Sequence, residues 1–204
     1  MKNPFTKRVD YKALDDRELV ALAKEDMDAF GELYERYLQK IYSYVFYRTG
    51  NAHDAEDLTA KVFFRALSHI ATYVEKGVPF QAWLYRIAHN LVANWHRDQG
   101  RRKIIALDEY VVHSLKSEAP DRVTEEREEQ NQLLQAVRRL PEDRQQLLLL
   151  KFVEQMSNAE IGAIMGRTEG AIKSLYHRTL LALREEMEML QNSDRNRRLD
   201  GSEG

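Results

Sequence analysis

The segment from Ser157 to Thr168 constrains the fold more tightly than any other part of the chain. Ser157-Asn158-Ala159-Glu160 has capping-box spacing, which predicts a helix starting there. Ile161, Ile164 and Met165 give that helix one apolar face. Gly166 can take the left-handed conformation that stops a helix, and Thr168 can cap the next one. Upstream, Arg138-Arg139-Leu140-Pro141-Glu142-Asp143-Arg144 closes one helix and opens another. Pro141 suits a first helical turn, and Glu142 and Asp143 suit a positive helix end. Two short helices joined this tightly form either an ordinary bundle hairpin or a helix-turn-helix whose second helix enters the DNA major groove.

The rest of the chain also reads as helix. Its 204 residues include only 9 Gly and 4 Pro, with 31% charged and 43% hydrophobic residues. That favours long surface helices around a packed core, in one or two domains. There is no cysteine, hence no disulfide, cysteine zinc site or thiol catalysis. No run of 18 apolar residues and no signal-peptide core occur, so a soluble, cytoplasmic chain without membrane insertion is expected. The formal net charge of −2 is low for a protein that grips DNA unaided, because duplex affinity comes largely from neutralised phosphates. Either basic groups are concentrated in patches or a partner supplies the grip. Patches exist: residues 80–103 contain Arg86, Arg97, Arg101, Arg102 and Lys103 against one acid, Asp98, while 104–130 is acidic.

Residues 1–14 lack a strong period and read as a loose arm. Asp15 and Glu18 cap a helix carrying Leu19 to Leu22. A long helix is expected from Asp28 to Arg48, burying Phe30, Leu33, Tyr34, Tyr37, Ile41, Tyr44 and Val45. Gly50 breaks it, and Asn51 caps a third helix striped with Leu58, Val62, Ala66 and Ile70. Residues 69–79 read as a loop. A fourth helix, Phe80 to Gln99, has a core stripe of Phe80, Leu84, Ile87, Leu91 and Trp95. Residues 104–121 read as a flexible linker. A second helical domain follows, with Val123, Leu133, Leu134, Val137, the Leu147–Leu150 run, Phe152 and Val153 at its centre. Its last helix runs through Met187 with Ile172, Tyr176, Leu183 and Met187 inward, and 192–204 is polar enough to stay disordered.

Three surfaces carry candidate chemistry. Arg86, Asn90, Asn94, Arg97 and Arg101 form a second, polar stripe on the fourth helix, near Tyr73 and Trp83. Asn can pair with adenine, Arg can grip phosphate and aromatics can stack on unpaired bases; the alternative is a solvated face beside two buried aromatics. Asp54, Glu56 and Asp57 either favour the helix dipole or form a docking edge for a basic partner. On the last helix, Lys173 and His177 share one face, Ser174 and Arg178 the adjacent one, and Gly170 permits close backbone approach. The six histidines form no HExxH pair and no Gly-rich phosphate loop occurs, so no catalytic, cofactor or metal site is expected. His89 and His96 are expected at the surface or facing nucleic acid.

Asp54-Ala55-Glu56-Asp57-Leu58-Thr59 with Val62-Phe63, Phe80-Gln81-Ala82-Trp83-Leu84-Tyr85-Arg86-Ile87-Ala88-His89-Asn90, and the segment from Leu140 to Ser174 together resemble the extracytoplasmic-function (ECF) sigma factors of bacterial RNA polymerase, in the sigma-70 superfamily. The resemblance covers roughly residues 17–102 and 125–187. It implies an all-α fold of two small domains: 15–103 as region 2, 104–121 as linker, 122–190 as a region 4 helix-turn-helix, and 191–204 as a disordered tail. It implies that Asp54, Glu56, Asp57, Leu58 and Phe64 bind core RNA polymerase. Tyr73, Trp83, Arg86, Asn90, Asn94, Arg97 and Arg101 would then open and read the minus-ten element of promoter DNA. Thr168, Glu169, Gly170, Lys173, Ser174, His177 and Arg178 would read the minus-thirty-five element. The polymerase would supply the missing positive charge, and an anti-sigma factor would be a further partner. Two departures stand out: Ala60-Lys61 where the family commonly has Gln-Glu, and Leu175 where it often has Arg, with Leu180 near a further basic position. The rival class is a stand-alone helix-turn-helix regulator that binds an operator as a dimer.

Overall fold

A computed structural model of the chain describes residues 9–75, 77–99 and 125–200, with side chains placed over 9–75, 77–98 and 131–192. Among these residues the regular structure is entirely helical. The first half holds α1 (Asp16–Leu22), α2 (Met27–Thr49), α3 (Ala52–His69) and α4 (Phe80–Gln99). Local chemistry sets their ends. The Asp15 carboxylate accepts from Glu18 N–H and the Glu18 carboxylate accepts from Asp15 N–H, both at 2.9 Å. Gly50 stops α2 at φ 66°, and the Asn51 side chain caps α3. The expected apolar stripes of α2 and α3 are buried, Tyr34 only partly. Each such Leu or Ile contributes roughly 1.5–3 kcal/mol on burial.

The supposed loose arm is partly built. Tyr11–Ala13 form a 3-10 turn, because the Arg36 guanidinium donates to the Tyr11, Lys12 and Leu14 carbonyls at 2.9–3.2 Å while pairing with Asp16 and Glu32. The expected loop is also shorter. Helix α3 keeps His69 and continues into a 3-10 turn, Ile70–Thr72, that buries Ile70.

The second half holds α5 (Glu125–Arg139), α6 (Glu142–Leu148), α7 (Asn158–Met165) and α8 (Glu169–Asp200). Its core is Leu133, Leu134, Val137, Leu147 to Leu150, Ile161, Ile164 and Ile172, with Phe152 and Val153 half-buried; Val123 lies outside the described residues. Pro141 precedes α6 as its cap residue instead of entering the first turn. A π-helical turn, Leu149–Val153, follows α6, and the four successive leucines Leu147 to Leu150 across this junction are all buried. Helix α8 does not end near Met187: it runs to Asp200, so residues 192–200 are helical. No Gly or Pro interrupts 171–200, and extending a formed helix is easier than nucleating one. The expected linker, 104–121, lies outside the described residues.

The two halves touch through α4 and α7. Packing on α4 corrects the expectation for two histidines, one against α6 of the second half and one against α2 of the first. His89 is half-buried with Nδ1 2.7 Å from Gln146 Nε2. His96 is buried, and its Nε2 donates to the Arg48 carbonyl at 2.9 Å.

Candidate nucleic-acid interface

The α3–α4 corner presents an aromatic platform. Tyr73 is buried and staples the loop to α4: its ring lies 4.7 Å from Trp83 and 6.0 Å, edge-on, from Phe80, and its hydroxyl donates to the Val78 carbonyl at 3.3 Å. Beside it opens a cleft of about 480 Å³ lined by Arg65, His69, Tyr73, Trp83, Ile87 and Asn90, among others. Its floor is aromatic and apolar, and its rim carries a guanidinium, an imidazole and an amide. That combination can stack a flat unpaired ring, read its edge and hold a phosphate. Arg86, Asn90, Asn94 and Arg97 are all exposed on α4, so the polar stripe faces outward as expected. Arg101 lies outside the described residues. Arg65 and His69 were not singled out from sequence, although four-residue spacing at the end of α3 aims both at this loop. His69 Nδ1 donates to the Arg65 carbonyl at 2.8 Å, which fixes its ring.

On the outer face of α3, Glu56, Asp57 and Phe64 are exposed, Phe64 to 71%. Asp54 is only half-exposed; it accepts from Trp95 Nε1 at 3.4 Å, tying α3 to α4. Leu58 is buried in the core and cannot contact a partner, because it lies on the inward stripe with Val62 and Ala66. A smaller cleft of about 220 Å³ between α2 and α3 includes Tyr34, Tyr42, Phe63 and Thr59, whose buried hydroxyl finds no hydrogen-bond partner among the described residues.

The helix-turn-helix forms as read. Ser157 and Glu160 make the capping box, Gly166 stops α7 at φ 67°, and the Thr168 hydroxyl caps Ala171 N–H at 3.2 Å. Arg167 pairs with Asp143 at 3.0 Å, fixing the turn to α6. Gly162 is a further requirement: a Cβ there would stand 2.6 Å from the Arg167 carbonyl oxygen, so only glycine lets the turn close on α7. Thr168, Glu169, Gly170, Lys173, Ser174, His177 and Arg178 are all exposed. Glu169 holds Lys173 at 2.8 Å, and Arg178 Nε donates to the Ser174 carbonyl at 3.3 Å. Leu175 is buried with Thr179, so its apolar character serves the core and removes nothing from the outward face.

Comparison with known proteins covers both halves. The family Sigma-70 region 2 matches residues 33–102, and Sigma-70, region 4 matches 130–183. The ECF RNA polymerase sigma factor BldN of Streptomyces coelicolor is 39% identical over 167 residues, 81% of this chain; the match spans just 63% of that relative. SigW of Bacillus subtilis, another such factor, is 29% identical over 182 residues, 84% of this chain and 95% of SigW. Among solved structures, the sigma factor RpoE in complex with the anti-sigma factor NepR from Bartonella quintana shares the fold at TM-score 0.57 and 19% identity, over 78% of this chain and 96% of that one. Among the described residues no helix is long and apolar enough to cross a membrane.

Proposed function

Because the chain belongs to the ECF group of sigma-70 factors, we propose that it binds core RNA polymerase and directs it to specific promoters as a transcription initiation factor. The observation that carries this reading is the pair of exposed polar faces, one in each domain: the α4 stripe with its aromatic cleft, and the first turns of α8. We assign 15–103 to region 2, 122–190 to region 4 and 104–121 to the linker. Glu56, Asp57 and Phe64, with Asp54 at their edge, meet the polymerase. Tyr73, Trp83, Arg86, Asn90, Asn94, Arg97 and Arg101 take the opened minus-ten strand; Tyr73 acts by shaping the cleft floor. Thr168, Glu169, Gly170, Lys173, Ser174, His177 and Arg178 approach the minus-thirty-five major groove. The chain catalyses nothing itself, works in the cytoplasm, and has an anti-sigma factor as a further partner. A stand-alone regulator has no use for a strand-opening cleft, so that alternative is not favoured.

The test is a gel-shift titration with and without core polymerase. A net charge of −2 gives the free chain little phosphate grip, so it should bind promoter duplex poorly at physiological salt and tightly once core is added. Tight, sequence-specific binding by the free chain would favour the regulator.

A further inference from the structure

Three aromatic rings border the α2–α3 cleft of about 220 Å³: Tyr34, Tyr42 and Phe63. Tyr34 and Phe63 meet edge to face, with ring centres 4.7 Å apart at 66°. Tyr42 stands about two turns along α2 from Tyr34 and stacks on Phe46 at 6.1 Å. Rings from both helices thus wall one cavity.

Its polar groups are few and unmatched. Glu56 lines the cleft and is paired with no cation among the described residues. Thr59 lines it too, and its buried hydroxyl has no hydrogen-bond partner among the described residues. Such a hydroxyl has lost its water without gaining a partner, a cost that a bound donor relieves. Ala60 ends at its methyl, so no long side chain from that position fills the cleft.

This lining selects its occupant by charge and size. Aromatic faces carry negative potential, so rings beside a carboxylate favour a cation with an apolar body. An anion would meet Glu56, with Glu35 and Asp57 exposed next in sequence to lining residues; Lys61, beside Ala60, is exposed as well. A bare metal ion would find a single carboxylate, and no group of three metal-binding side chains occurs among the described residues. A cavity of about 150 Å³ holds a benzene ring, so this one holds roughly nine non-hydrogen atoms, a whole small molecule and more than the tip of a lysine.

We propose that the α2–α3 cleft binds a small organic cation, an ammonium on an aromatic or alkyl body, with the body against Tyr34, Tyr42 and Phe63 and the N–H groups toward Glu56 and Thr59. Glu56 also belongs to the face assigned to core polymerase, so cation and polymerase exclude one another. Binding of the cation is a property of the free chain; the exclusion rests on the sigma-factor reading above.

The probe is 2-phenylethylammonium, with 2-phenylethanol as its neutral match in size. Titrated into the free, full-length chain and followed by amide shifts in two-dimensional NMR, the ammonium should saturate with a dissociation constant of about 1 mM or below, moving the lining residues of α2 and α3. The alcohol should bind about tenfold more weakly, because it lacks the charge. Glu56→Gln should weaken the ammonium about tenfold and leave the alcohol unchanged. Ala60→Leu fills the cleft without altering any charge, and should weaken both probes about tenfold or more. Circular dichroism checks folding, and Ala60→Gln makes the same test if Ala60→Leu does not fold. No saturable shift, equal binding of the two probes, or native affinity in a folded Ala60 variant overturns the site; the last result would make the cation a counter-ion of surface acids. At about four times its dissociation constant, the ammonium should weaken core polymerase binding about fivefold, as simple competition requires. Unchanged core binding overturns the exclusion. A chain that fails to bind core even without the cation would sink the sigma-factor reading and leave the measured site standing.

Discussion

Asn90 and Asn94 stand one helical turn apart on α4, both exposed, and Asn90 also lines the rim of the aromatic cleft. An amide offers a donor and an acceptor side by side, which suits the edge of an unpaired base. The double variant Asn90→Ala/Asn94→Ala should therefore slow promoter opening while leaving core polymerase binding intact, since neither side chain supports the fold. Permanganate footprinting reports the opened strand; normal opening would reduce the stripe to a solvated face. The sequence marked these positions by spacing alone, because outward polar residues on an amphipathic helix declare themselves. It misplaced residues whose surroundings depend on the rest of the molecule. Leu58 is inward by its period, as the structure has it, although the resemblance implied a contact there; Leu175 sits in a family-like contact stretch yet points into the core, and His96 looks like a surface histidine until the Arg48 carbonyl is packed over it. A helix has one inward direction in isolation, and a second only once another element lands on it.

At the scale of elements, start and stop signals transferred almost unchanged from sequence to structure, because caps act within one turn. Asp15, Asn51, Ser157 and Thr168 cap as read, and Gly50 and Gly166 are left-handed. The π turn after α6, the 3-10 turn after α3 and the extension of α8 were not legible, since each answers to packing or propagation. Gly162 shows the difference well: its helix was expected, its closeness to the turn was not. Gly162→Ala should destabilise the protein by about 1–3 kcal/mol, because the new methyl meets backbone that has no rotamer to move. Gly170→Ala, with nothing within 4 Å of its added Cβ, should be neutral or stabilising by up to about 1 kcal/mol. Chemical denaturation of the two variants measures both. Equal effects would mean that the tight approach at Gly162 does not exist in solution.

The whole molecule has a formal net charge of −2, and its two candidate DNA faces lie in different domains. Lys173, Ser174 and His177 sit on the outward part of α8, while the Asn stripe belongs to α4 in the other domain. If each face reads its own element, a defect in one should be coupled only to the matching stretch of DNA. Lys173 is the sharpest probe: it is exposed and, among the described residues, paired only with Glu169, an (i,i+4) surface pair worth about 0.3–0.5 kcal/mol. A base-edge contact contributes about 1–3 kcal/mol, whereas a phosphate contact weakens all sequences alike. Lys173→Ala should lower transcription from a native promoter by an amount in that range. The loss should shrink when the contacted minus-thirty-five base is already substituted, and stay the same under minus-ten substitutions. A double-mutant cycle of transcription rate against both elements makes the measurement. Coupling of Lys173 to the minus-ten element, with none to the minus-thirty-five, would mean that α8 is not the upstream reader. A uniform loss across all promoters would instead make Lys173 a phosphate contact and leave base reading to Ser174, His177 or Arg178 on the same turns.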